Sequence, residues 1–180
     1  MDFALFCGGA APIYGDPEAS KELSAADRIM ARIGERWPRW VFVIISGATI
    51  PLITNIKTAE QYKKMLGKML CDADARIIDS DPNFMHALMR SIQEAYRQGA
   101  GGPSDDAIAI YKDWGLSVSE IAFPVQLAHG TEDKHVPFSF SEYMHANLPN
   151  STLIPLEGDG HYTHLVNTSR SFDIIEGIYP

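Results

Sequence analysis

The first apolar run, Phe3-Ala-Leu-Phe-Cys7, is short and stops at Gly8-Gly9. That pattern predicts a buried strand entering a loop, which Pro12, Gly15 and Pro17 prolong. Ser24-Ala-Ala-Asp27 has the form of a capping box with Asp in place of Glu. Ile29, Met30, Ile33 and Trp37 follow at helical spacing. The segment 40–45 is β-branched, which favours a strand, but its neighbours are helical in pattern and we read it as helix. Residues 58–70 predict an amphipathic helix with Tyr62, Met65, Leu66, Met69 and Leu70 on one side. Asp81-Pro82 opens another, with Pro in its first turn and Phe84, Leu88, Ile92 and Tyr96 repeating along one face. A Gly-rich loop over 99–103 and a short helical piece over 107–114 complete this stretch.

The last third changes period. Residues 124–130 and 151–156 read as strands, with Pro155 pointing to an edge or a strand end. Residues 138–148 and about 165–175 read as helices, and 158–162 as a loop. Strand, loop, helix, repeated, is the signature of a parallel sheet. The expected organisation is an α/β core from 1–18 and 116–180, interrupted by a helical insertion over 19–115. No internal repeat or low-complexity tract is present.

Composition narrows the function classes. A hydrophobic fraction of 46% with 21% charged residues fits a folded chain. The net charge of −8 repels phosphate backbones and anionic lipid, so no nucleic-acid or membrane partner is expected. The longest apolar run, 40–53, contains Ser46, Gly47, Thr49 and Pro51 and falls short of the roughly 20 residues needed to span a bilayer. Two cysteines make no disulfide framework and no C-x-x-C metal or redox motif. With an acidic Met1-Asp2 start predicting no secretory signal, a cytoplasmic setting is expected. No pattern calls for a cofactor.

Two loops carry chemistry: His129-Gly-Thr-Glu-Asp133-Lys-His135-Val136-Pro137 and Glu157-Gly-Asp-Gly-His161-Tyr162. Both follow strands, and parallel sheets bind ligands beyond the carboxyl ends of their strands. An Asp and a His placed there suit acid–base chemistry, because a catalytic imidazole needs a carboxylate to hold its tautomer and stabilise its charged form.

The order H-G-x-x-D-x-x-V-P, then G-x-G-H after some twenty residues, resembles the end of an α/β-hydrolase. Phe3 to Pro12 resembles the strand that follows the nucleophile elbow in that fold. The helical insertion resembles the cap of the esterase, epoxide hydrolase and prolyl aminopeptidase branch. The resemblance implies that Asp133 is the triad acid and His161 the base, in the chain order nucleophile, acid, histidine. His135, Val136 and Tyr162 would border the substrate pocket by adjacency. It further implies acyl-enzyme hydrolysis of an ester-like or amide bond. Trp37, Trp40, Phe42, Met65 and Met69 suggest a small apolar substrate. His129, His135, His145 and His164 match no triad position.

The nucleophile is missing. The elbow needs small residues two positions either side of the attacking Ser, Cys or Asp, and no G-x-S-x-G exists here. Ser46 is the nearest candidate but has Ile44 before it, and Cys7 has Leu5 before it. At ~30 residues per strand–helix unit, an eight-stranded sheet needs about 240 residues before a cap is added. The expectation is therefore the C-terminal portion of such a fold, inactive alone, able to pair with another chain through an exposed strand edge. Two rivals are a non-catalytic relative that binds a small ligand or a partner, and a metal site built from His129, Asp133 and His161.

Overall fold

The computed structural model describes residues 3–12, 21, 23, 28–29, 32 and 36–177. Most of the helix expected over 24–37 lies outside them. By its contacts the chain forms two units: Met1–Ala11 with Leu66–Ser80 and Leu116–Pro180, and Pro12–Met65 with Asp81–Gly115.

The first unit holds a three-stranded parallel sheet, β1 (Ala4–Cys7), β2 (Val125–Gly130) and β3 (Ser151–Leu156), in that order. Leu5 lies beside Gln126, Leu127 beside Leu153, and Gly130 beside Leu156. β2 is central, and its last four residues are buried, as expected of a strand covered on both faces. Pro155 sits in β3, an outer strand of the described sheet, where its missing N–H breaks no ladder. α6 (Ser139–Asn147) lies on one face of the sheet, where Ser141 meets His129. Period-two alternation puts Leu127, fully buried, on that same side. The opposite face packs Ala128 and Leu156 on Ile174, with Leu5, Cys7 and Ile154 around them. Ile174 belongs to α8 (Thr168–Ile175). The terminal helix expected over 165–175 is divided: α7 (Thr163–Val166) ends at Asn167, whose ψ of 63° leaves the helical region.

This unit also contains α3 (Asp72–Ser80), which the sequence pattern did not single out. The segment lies within the expected insertion, yet its contacts group it with the strands.

The second unit is helical: α1 (Arg39–Thr54), α2 (Ala59–Leu66), α4 (Pro82–Ala95) and α5 (Gly101–Tyr111). The β-branched stretch 40–45 is helix, inside α1. It buries Val41, Phe42 and Ser46, and α1 packs on α5 and α4, so packing overrides strand propensity. Phe42 is thus a core residue, whereas Trp37, Trp40 and Met65 are exposed. Asp81 caps α4 by accepting from the N–H groups of Asn83 and Phe84 at 2.9 and 3.0 Å. The expected loop over 99–103 is a correction: Gly101-Gly102-Pro103 already form the first turn of α5, where proline costs no internal bond. The Arg39 guanidinium grips Asp105 through two bonds of 2.6 and 2.9 Å, and Ser104 Oγ donates to Ala100 O. No helix among the described residues is long and apolar enough to cross a membrane.

Candidate active site

β2 and β3 are adjacent and parallel, so the loops that leave their carboxyl ends emerge side by side. Backbone bonds lace the two loops together: Thr131 N–H donates to Leu156 O, and Glu132 N–H to Asp159 O at 2.9 Å. Gly158 N–H donates to Thr131 Oγ1. The approach is close enough to demand glycine. A Cβ on Gly130 would stand 2.4 Å from the Asp159 carbonyl oxygen.

Asp133 is buried, and both its oxygens are used. Oδ1 accepts from the N–H groups of His135 and Val136 at 2.8 and 2.9 Å, a turn closed on its own side chain. Oδ2 accepts from His161 Nδ1 at 2.9 Å. His129 Nε2 stands 3.2 Å from that same oxygen. Burial alone would raise the Asp133 pKa. The bonds from His129 and His161, the His161 charge and the Val136 N–H outweigh it and hold the carboxyl well below the usual carboxylate range.

His161 is the exposed member of the pair, with 31% of its side chain accessible. Because Asp133 only accepts, Nδ1 carries the proton and Nε2 is the nitrogen left for a reacting group. Burial lowers the His161 pKa, but the bond to Asp133, its charge and the charge of Asp74 raise it overall. The His135 ring lies 4.9 Å from that of His161, and the Tyr162 ring 5.7 Å, centre to centre. Val136 serves the site through its backbone, donating to Asp133 and accepting from His129 Nε2 at 2.9 Å.

His129 is a site residue that the triad pattern does not reveal. It is fully buried at the end of β2. Its Nε2 is aimed at Val136 O and the Asp133 oxygen, and its Nδ1 bonds Ser141 Oγ at 2.6 Å. The signal is the i, i+4 spacing from Asp133 across a tight turn. The metal reading of His129, Asp133 and His161 is not supported: no group of three His, Cys, Asp or Glu among the described residues could hold an ion. His145 bonds Ser151 on the surface. Burial and the charges of His129 and His161 push His164 down.

Neither nucleophile candidate sits on an elbow. Ser46 is inside α1, and its carbonyl accepts from Thr49 Oγ1. Cys7 ends β1, and burial pushes its thiol pKa up despite a bond with Ser171.

The shifts predict how stability follows pH. The depressed Asp133 contributes stability above its unfolded pKa of about 3.9, lost as pH falls through the folded value. The raised His161 contributes below its unfolded pKa of about 6.5, lost as pH rises through the folded value. Both contributions are present between those limits. The stability gap between wild type and Asp133→Asn in urea unfolding is therefore expected to be widest near pH 5.5 and narrower at pH 2.5 and 8.5. A gap independent of pH would show that the pair is not coupled by charge.

No family model matches the chain. Among solved structures it superposes on a bromoperoxidase from Bacillus anthracis with a TM-score of 0.56 at 15% identity, over 97% of this chain and 56% of that one. An esterase from Exiguobacterium antarcticum gives 0.52 at 14% identity, over 99% and 57%. A hydrolase from Pseudomonas aeruginosa gives 0.54 at 13%, over 98% and 54%. The chain thus carries the α/β-hydrolase fold. Among curated proteins it is 27% identical over 109 residues to a pimeloyl-[acyl-carrier protein] methyl ester esterase of Aromatoleum aromaticum, 61% of this chain and 42% of that protein. It is 38% identical over 55 residues to an uncharacterized protein of Mycobacterium tuberculosis, 31% of this chain and 16% of that one. The chain spans less than half the length of these curated relatives.

Proposed function

We propose that the chain is the acid–base portion of a serine-type α/β-hydrolase that cleaves an ester-like or amide bond of a small apolar substrate. The observation that carries this reading is the 2.9 Å bond between His161 Nδ1 and Asp133 Oδ2, made across loops at the carboxyl ends of neighbouring parallel strands. A hydroxyl on a segment placed beside β1, in the same chain or another, supplies the nucleophile. His161 Nε2 takes the hydroxyl proton as the oxygen attacks the carbonyl carbon, and Asp133 stabilises the imidazolium. Collapse of the tetrahedral adduct breaks the bond to the leaving group, which receives that proton. Water, deprotonated in turn by His161, then releases the acid and regenerates the hydroxyl. The helices of the second unit act as the cap, and the exposed Trp37, Trp40 and Met65 favour an apolar substrate. Two free cysteines fit the reducing cytoplasm.

A fluorophosphonate probe tests this. The pure chain should stay unlabelled. Joined to a segment that places a nucleophile beside β1, it should be labelled on one serine and hydrolyse short-chain nitrophenyl esters. Its kcat/KM should rise with pH through the raised His161 pKa, since only neutral imidazole accepts a proton. No labelling in the longer protein would favour a non-catalytic ligand-binding role.

A further inference from the structure

α3 brings a second carboxylate, besides the one that bonds the imidazole, to the histidine loop. Asp74 lies in the first turn of α3 and is completely buried. Its Oδ1 accepts from Tyr162 N–H at 2.8 Å and its Oδ2 from His161 N–H at 3.1 Å. The Cys71 thiol donates to Oδ2 at 3.3 Å. A charge this deep is tolerated only where hydrogen bonds replace its water. Here three donors converge on two oxygens, and the helix N-terminus adds its partial positive charge. An amide at this position would turn an NH2 group toward an N–H.

A second observation points the same way. Gly160 has no room for a side chain: a Cβ there would lie 2.4 Å from Asp74 Oδ1 and 2.5 Å from Cys71 Sγ. The glycine before His161 is therefore what lets the loop close onto the carboxylate.

We propose that Asp74 is a positioning residue for His161, clamping the backbone of residues 161 and 162 so that the imidazole meets Asp133. The two carboxylates divide the work: Asp133 fixes the ring and its tautomer, and Asp74 fixes the peptide that carries the ring. Asp74 also places a second negative charge near the imidazole. Among the described residues, the other titratable groups facing His161 are Asp133, His135, Tyr162 and His164. The assignment of a catalytic purpose rests on the hydrolase reading, but the clamp itself does not.

Amide hydrogen exchange and imidazole NMR titration of the chain as it stands test the clamp without any catalysis. In the wild type the amides of His161 and Tyr162 should exchange at least ~100-fold more slowly than open-loop amides. Asp74→Asn should speed both by ~10-fold or more and lower the His161 titration midpoint. Cys71→Ala should leave both amides protected. Gly160→Ala gives a second route, since it pushes the loop off an intact carboxylate and should release the same two amides. Open-loop exchange of these amides in the wild type would overturn the proposal, whether or not either variant folds. An unchanged His161 midpoint in a folded Asp74→Asn would do the same. Intact protection together with an inert longer protein would instead sink the hydrolase reading and leave the clamp standing.

Discussion

Replacing His161 with alanine, in the chain joined to a nucleophile-bearing segment, is expected to lower ester hydrolysis by about 10⁶-fold while KM changes little. The size follows from the role. Without an imidazole held on Asp133 the attacking hydroxyl keeps its proton. His129, the other imidazole on that carboxylate, is wholly buried and spends both ring nitrogens on Val136 and Ser141. It cannot substitute. Residual activity should match that of the Asp133→Ala, His161→Ala double variant, because members of such a unit fail together rather than additively. Near-wild-type turnover in the single variant would remove His161 from the mechanism.

The second large effect is expected from one methyl group. Gly130→Ala puts a Cβ within 2.4 Å of the Asp159 carbonyl oxygen, and the obstacle is backbone rather than a flexible side chain. The two loops must part, weakening the bond from Glu132 N–H to Asp159 O and the span from Asp133 to His161. Overpacking of this kind costs about 1–3 kcal/mol. For a chain of this size that is a fall in Tm on the order of 5 °C. The His161 titration midpoint should drop toward about 6.5, the value of a free imidazole. A variant with the Tm and midpoint of wild type would mean that the loops do not depend on this contact.

The acid–histidine half of the site was legible because its determinants are local. β2, α6 and β3 each announce themselves by period and by the turn residues that follow, and His161 and Asp133 stand at the ends of those strands. The second positioning carboxylate was not legible. Asp74 meets amides 87 and 88 residues further along the chain, and nothing in its own nine-residue acidic helix marks it apart from Asp72. His129 was visible as a residue but not as a partner, since its hold on Asp133 depends on how the turn after β2 folds back. The early start of α5 was hidden by Gly101-Gly102-Pro103, whose turn preference yields to the packing of α5 on α1 and the buried Ser104 bond. The segment 40–45 shows the reverse balance, with burial of Val41 and Phe42 deciding for helix.

The full occupation of Asp133 has one more consequence. Two backbone amides bond one oxygen, His161 bonds the other, and the His129 ring stands 3.2 Å from that second oxygen. In the proposed mechanism this aspartate holds and orients imidazoles, and the covalent step falls to another residue.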